Sequence, residues 1–92
     1  MLIATTTLPD AAEQIETHCL VLFERWCETR HVVPLAYLMH AWPMAAPAPH
    51  LAGRLAQSLQ TLMHLHADAL DVEDCRLIEQ AIAIAERIWR SR

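Results

Sequence analysis

Residues 32–53 read VVPLAYLMHAWPMAAPAPHLAG and contain no Asp, Glu, Lys or Arg. A run of this length is long enough to cross a bilayer as a single helix. Four prolines interrupt it, at Pro34, Pro43, Pro47 and Pro49. Because proline breaks a helix interior and the pieces between the prolines are too short to span, the sequence argues against a membrane helix. It predicts instead a short helix over 35–42 and an extended connector over 43–49.

The rest of the chain has the periodicity of amphipathic helices, with apolar residues three or four positions apart. The predicted spans are 10–30, with Thr7 as an alternative start, 50–70 and 71–90. Asp71 is of a type that caps helix N-termini. Three long helices and a short one, without strand-like alternation, predict an all-α, compact antiparallel four-helix bundle.

The apolar residues of each long helix define the side that we expect to be buried. In the first helix this side holds Ala12, Ile15, Cys19, Leu22, Phe23 and Trp26. In the fourth helix it holds Cys75, Ile78, Ile82, Ala85 and Trp89, and it is widened by Leu77, Ala81, Ile84 and Ile88. These sides are wide enough to form one shared core.

Length, charge and cysteine content limit the possible classes of protein. The chain has 92 residues, which predicts a single helical domain over 1–92 with a flexible N-terminus over 1–8. Its net charge of −4 provides no attraction to a phosphate backbone, so no nucleic-acid partner is expected. Three cysteines without CxxC spacing predict reduced thiols, and the N-terminus does not resemble a secretory signal. These features favour a cytoplasmic protein without a membrane partner.

The charged residues are unevenly distributed, since residues 31–67 contain only Arg54. In so small a domain such a segment cannot be buried completely by its own chain, and a contiguous apolar surface is typical of an interface. We therefore expect a protein-interaction module (an adaptor, regulator, chaperone or inhibitor) that binds another protein or itself as a homodimer. The expected contact residues are Leu35, Tyr37, Leu38, Met39, Trp42 and Met44. For Trp42, burial within its own monomer is the alternative. The alternative is a central helical hairpin that exposes uncharged polar residues such as Gln57 and Gln60.

A second hypothesis, of a different class, is a metal or small ligand held inside the bundle. Its candidate ligands are His66, Cys19, Cys75, His64 and Asp68. His64 and Asp68 have the i, i+4 spacing that allows one ion to be bound from a helix face, but a structural metal site needs about four donors. The spacing of the others does not complete such a set, so no cofactor is predicted.

Catalysis is not expected from this sequence. The single glycine, Gly53, excludes a glycine-rich phosphate loop. No Ser, His and Asp or paired carboxylates have the spacing of a catalytic motif. We therefore predict a binding protein rather than an enzyme.

Overall fold

The computed structural model describes residues 11–43 and 49–90, and this part of the chain is helical and without strands. Four α-helices follow one another: α1 over Ala11–Glu28, α2 over Val32–Ala41, α3 over Pro49–Leu65 and α4 over Val72–Arg90. A 3₁₀ turn, Ala67–Ala69, precedes α4. The all-α four-helix bundle predicted from the sequence is confirmed. The expected flexible N-terminus over 1–8 and most of the expected connector over 43–49 lie outside the described residues.

The helices are packed in cyclic order, so that α3 lies between α2 and α4 while α1 lies diagonally opposite it. Contacts near both ends of α1 and α4 show that these helices are antiparallel. Arg25 near the end of α1 reaches Asp74 at the start of α4, and Arg87 near the end of α4 donates to Gln14 Oε1 at 3.3 Å. This arrangement leaves the outer side of α3 facing away from α1.

Two helix boundaries differ from the prediction. Helix α2 begins at Val32 rather than at residue 35, so Pro34 lies inside its first turn, where a missing N–H costs nothing. Helix α3 ends at Leu65 rather than at residue 70. The five residues after it, 66–70, connect α3 to Asp71, which immediately precedes α4.

Burial confirms the predicted inner side of α1, where Ile15, Cys19, Leu22 and Trp26 have no exposed surface. Apart from Asp74, the buried side of α4 lies within the wide face that the sequence predicts. It holds Asp74, Ile78, Ala81, Ile84, Ala85 and Ile88. Trp89 was expected there, but its side chain is 42% exposed. The pattern of apolar residues does not mark Asp74 as a core residue, because its burial requires hydrogen-bond donors from α1.

Asp74 is 1% exposed and joins α1 to α4. Its Oδ1 accepts hydrogen bonds from Arg25 Nε at 2.6 Å and from Trp26 Nε1 at 3.1 Å. Its Oδ2 accepts from the backbone N–H of Asp71 at 3.1 Å, and the N–H of Asp74 donates to Asp71 Oδ1 at 2.7 Å. This reciprocal pair is a capping box, and it confirms that Asp71 is the N-cap of α4.

The protonation of Asp74 follows from these contacts. Burial acts to raise the pKa of its carboxyl, but the hydrogen bonds from Arg25, the Asp71 amide and Trp26, together with the charge of Arg25, outweigh it and place the pKa below its usual range. His31 Nδ1 is buried 4.0 Å from Asp74 Oδ2 without a hydrogen-bond partner in the described part of the chain. Asp74 is therefore an ionised group that holds two helices together.

None of the described helices is both long and apolar enough to cross a membrane. The longest uncharged helix, α2, covers only the ten residues Val32–Ala41. A helix of this length rises about 15 Å, half the thickness of a hydrocarbon core.

Candidate functional site

A groove with a volume of about 910 Å³ lies along the outer side of α3, bounded by α2 on one side and by the C-terminal part of α4 on the other. Helix α3 contributes most of its surface: His50, Gly53, Arg54, Ala56, Gln57, Ser58, Gln60 and Thr61. Helix α2 contributes Ala36, Tyr37 and His40, and α4 contributes Glu86 and Trp89. The groove is therefore formed mainly by the charge-poor segment 31–67.

Gly53 allows the indole of Trp89 to lie directly on the backbone of α3. A Cβ atom at Gly53 would stand 2.8 Å from Trp89 Cε3 and 3.2 Å from Cδ2, closer than carbon atoms approach without displacement. A glycine inside a helix costs about 1 kcal/mol relative to alanine. The chain's one glycine thus permits this close helix contact and keeps a half-exposed aromatic ring at the end of the groove.

Helix α2 is fixed to α3 by a hydrogen bond beneath the groove. The hydroxyl of Ser58, which is 8% exposed, donates to the backbone carbonyl of Tyr37 at 2.7 Å. The Tyr37 ring packs edge-on against the ring of His66, with 5.4 Å between the centroids. Tyr37 is half-buried by these contacts and still lines the groove.

The charged residues that line the groove are Arg54 and Glu86. Arg54 is exposed and makes no ion pair within the described part of the chain. The carboxylate of Glu86 is instead engaged by its neighbours, because Gln60 Nε2 donates to it at 3.1 Å and Arg90 Nη1 lies 3.9 Å from it. The unpaired charge that the groove presents is that of Arg54.

The outer side of α2 continues the groove as an uncharged surface. Val32 is 72% exposed, Val33 43% and Met39 54%. Ala36 and His40 lie on the same face of the helix and are also exposed. No Asp, Glu, Lys or Arg occurs in this helix. We call the groove and these five side chains together the α2–α3 surface.

The predicted contact residues are divided between this surface and the core. Tyr37 lines the groove and Met39 is exposed, whereas Leu35 is half-buried against the core. Leu38 has no exposed surface, so it is corrected from a contact residue to a core residue. Trp42 is only 9% exposed, so of its two alternatives the structure has burial within its own chain. Met44 lies outside the described residues.

Trp42 is buried because α1 covers it. Its ring packs against Phe23, with 5.8 Å between centroids, and its Nε1 donates to Glu16 Oε1 at 3.3 Å. The sequence around Trp42, an aromatic residue followed by a proline, does not indicate whether the side chain is buried or exposed.

The candidate metal ligands are not brought together. Helix α3 ends at Leu65 and Asp68 lies in the 3₁₀ turn that follows, so His64 and Asp68 are not on one helix face as the i, i+4 spacing predicts. Cys19 is in the core and Cys75 is half-buried. Within 11–43 and 49–90, no three His, Cys, Asp or Glu side chains could hold a metal ion. The predicted set of ligands, which also included the half-buried His66, is therefore not assembled.

Cys19 is a packing residue by its environment. Burial, and to a lesser extent the negative charge of Glu16, raises the pKa of its thiol to about 12. A thiol with so high a pKa stays protonated and is a poor nucleophile or metal ligand.

Sequence reasoning missed most of the groove. His50, Arg54, Gln57 and Thr61 follow one another at helical spacing, which is equally typical of a plain solvated face. The signal that was available is Gly53, since a single glycine within a helical pattern often marks a close approach of another element. Comparison of the chain with protein-family models, with curated proteins and with solved structures finds no match.

Proposed function

We propose that this chain is a small protein-interaction module, an adaptor or regulator, that binds a partner through the α2–α3 surface. The observation that supports the proposal most strongly is that the exposed side of α2 is uncharged and borders a groove of about 910 Å³. Apolar side chains such as Val32 and Met39 gain free energy when a partner removes them from water, roughly 25 cal/mol per Å². Contiguous exposed surface of this kind is typical of binding sites.

The composition of the groove supports a protein as the ligand. Tryptophan, tyrosine and arginine are the residues that contribute most to binding energy at protein interfaces. Trp89, Tyr37 and Arg54 place one of each in this groove. The half-exposed Trp89 indole offers a large, rigid area that loses little conformational entropy on binding.

The proposal is tested with a matched pair of variants. Ala36→Glu places a charge at the border of α2 and the groove, and Ala83→Glu places the same charge at an exposed position of α4 that does not line it. Wild type and both variants are immobilised, and the proteins that each retains from cells that express the chain are quantified by mass spectrometry. Each candidate is then purified and its Kd measured.

We expect at least one purified partner whose affinity falls by about tenfold, equivalent to about 1.4 kcal/mol, in Ala36→Glu and is unchanged in Ala83→Glu. Sedimentation velocity on the wild type determines whether that partner is a second copy. The proposal is wrong if the chain stays monomeric and no purified protein distinguishes the two variants.

A further inference from the structure

The groove differs in charge from the rest of the molecule. The chain carries a net charge of −4, yet the groove is lined by one guanidinium, Arg54, and one carboxylate, Glu86, together with His40 and His50. An unpaired positive charge on an acidic chain is suited to select its ligand electrostatically.

Arg54 and His50 lie side by side on α3. They are four residues apart on the same helix, so their Cβ atoms are about 6 Å apart and their side chains lie on the same face. Both side chains are exposed, and neither has a carboxylate partner in the described part of the chain. His40 approaches the same groove from α2.

The one acidic group of the groove does not cancel the charge of Arg54. Glu86 interacts with Gln60 and lies 3.9 Å from Arg90, which brings a second guanidinium to the α4 side. Arg90 does not line the groove, but it offsets the charge of Glu86, so the charge that remains is that of Arg54.

From this arrangement we infer that the groove binds an acidic segment of another protein. The carboxylates of the segment face Arg54, His50 and His40. An apolar side chain of the same segment lies against the indole of Trp89, which supplies an uncharged contact beside the charged one. This inference rests on the proposed function and adds the chemistry of the partner.

The test is a selection from a library of random 16-residue peptides, with the wild-type chain as bait and Ala36→Glu as counter-selection. We expect the groove-dependent peptides to be enriched in Asp and Glu relative to the unselected library. One selected peptide is then compared with a copy in which Gln replaces every Glu and Asn replaces every Asp. The acidic peptide is expected to bind more weakly as salt is raised, and the amide copy to lack this dependence.

A second matched pair assigns the charge to the groove. Arg54→Gln is expected to weaken binding of the acidic peptide about fivefold to tenfold, which is within the range for the net loss of one solvent-exposed hydrogen bond. Arg76→Gln, which removes a guanidinium paired with Glu73 outside the groove, is expected to leave the affinity unchanged. Circular dichroism of both variants confirms that they fold.

The other outcomes are distinguishable. Groove-dependent peptides without acidic enrichment, or with affinities that Arg54→Gln does not change, overturn the acidic partner and leave the proposed function standing. A complete absence of groove-dependent peptides contradicts both. If a twelve-nucleotide oligothymidine binds more tightly than the acidic peptide, and its binding depends on Arg54, the groove is assigned to nucleic acid. If the wild type dimerises and Arg54→Gln does not, the groove is assigned to a second copy. Either result overturns the inference.

Discussion

Replacement of Asp74 by alanine is expected to destabilise the bundle more than the loss of a surface charge. The substitution leaves the buried indole N–H of Trp26 without an acceptor, which costs about 2 kcal/mol. Arg25 loses its 2.6 Å contact but keeps Asp71 and partial hydration, so we assign about 1 kcal/mol to it. Loss of half of the capping box costs about 1 kcal/mol more. The expected decrease in the free energy of unfolding is therefore about 4 kcal/mol, a large part of the 5–15 kcal/mol typical of native domains.

Urea denaturation followed by circular dichroism measures this change, and thermal denaturation reports it as a lower Tm. The control is Asp68→Ala, which removes an exposed carboxylate from the 3₁₀ turn and is expected to change stability by less than about 0.5 kcal/mol. A change below about 1 kcal/mol for Asp74→Ala, or equal changes for the two variants, would refute the assignment of Asp74 as the link between α1 and α4.

Three further predictions concern pH, helix contact and thiol reactivity. The pKa of Asp74 in the folded chain lies below its usual value of 3.8. The stabilisation from its carboxylate is therefore present above pH 3.8 and is lost as the pH falls through the lower pKa of the folded chain. The free energy of unfolding should decrease less steeply with falling pH in Asp74→Asn than in the wild type. Gly53→Ala should push the Trp89 indole outward, because the added methyl group stands 2.8 Å from the ring; acrylamide quenching of fluorescence should increase, and unchanged quenching would contradict the contact. Cys27, which is exposed, should react with a disulfide reagent at pH 8 while Cys19 stays protected until the chain unfolds; equal rates would show that Cys19 is accessible.

The fold could be predicted from the sequence because helical periodicity is a local signal. The spacing of Ile15, Cys19, Leu22 and Trp26 indicated their burial without knowledge of any neighbour. The burial of Asp74 in α4 could not be predicted in this way. It is stable only because Arg25 and Trp26, about fifty residues earlier, supply donors.

Scarcity of charge in the sequence pointed to segment 31–67, which contains α2 and α3, and this segment provides most of the lining of the groove. The sequence could not predict which tryptophan is exposed, because Trp42 and Trp89 have the same side chain. Their exposure is determined by the packing of Trp42 on Phe23 and of Trp89 on Gly53, and each of these contacts joins two helices.

The central claim is that the α2–α3 surface is where a partner binds. Hydrogen–deuterium exchange of the chain, alone and in complex with the protein that it retains, tests this claim most directly. We predict that binding slows exchange of the amides in α2 and in the first three turns of α3, while the middle of α1 exchanges at its original rate. Slower exchange confined to α1, with α2 and α3 unaffected, would contradict the account.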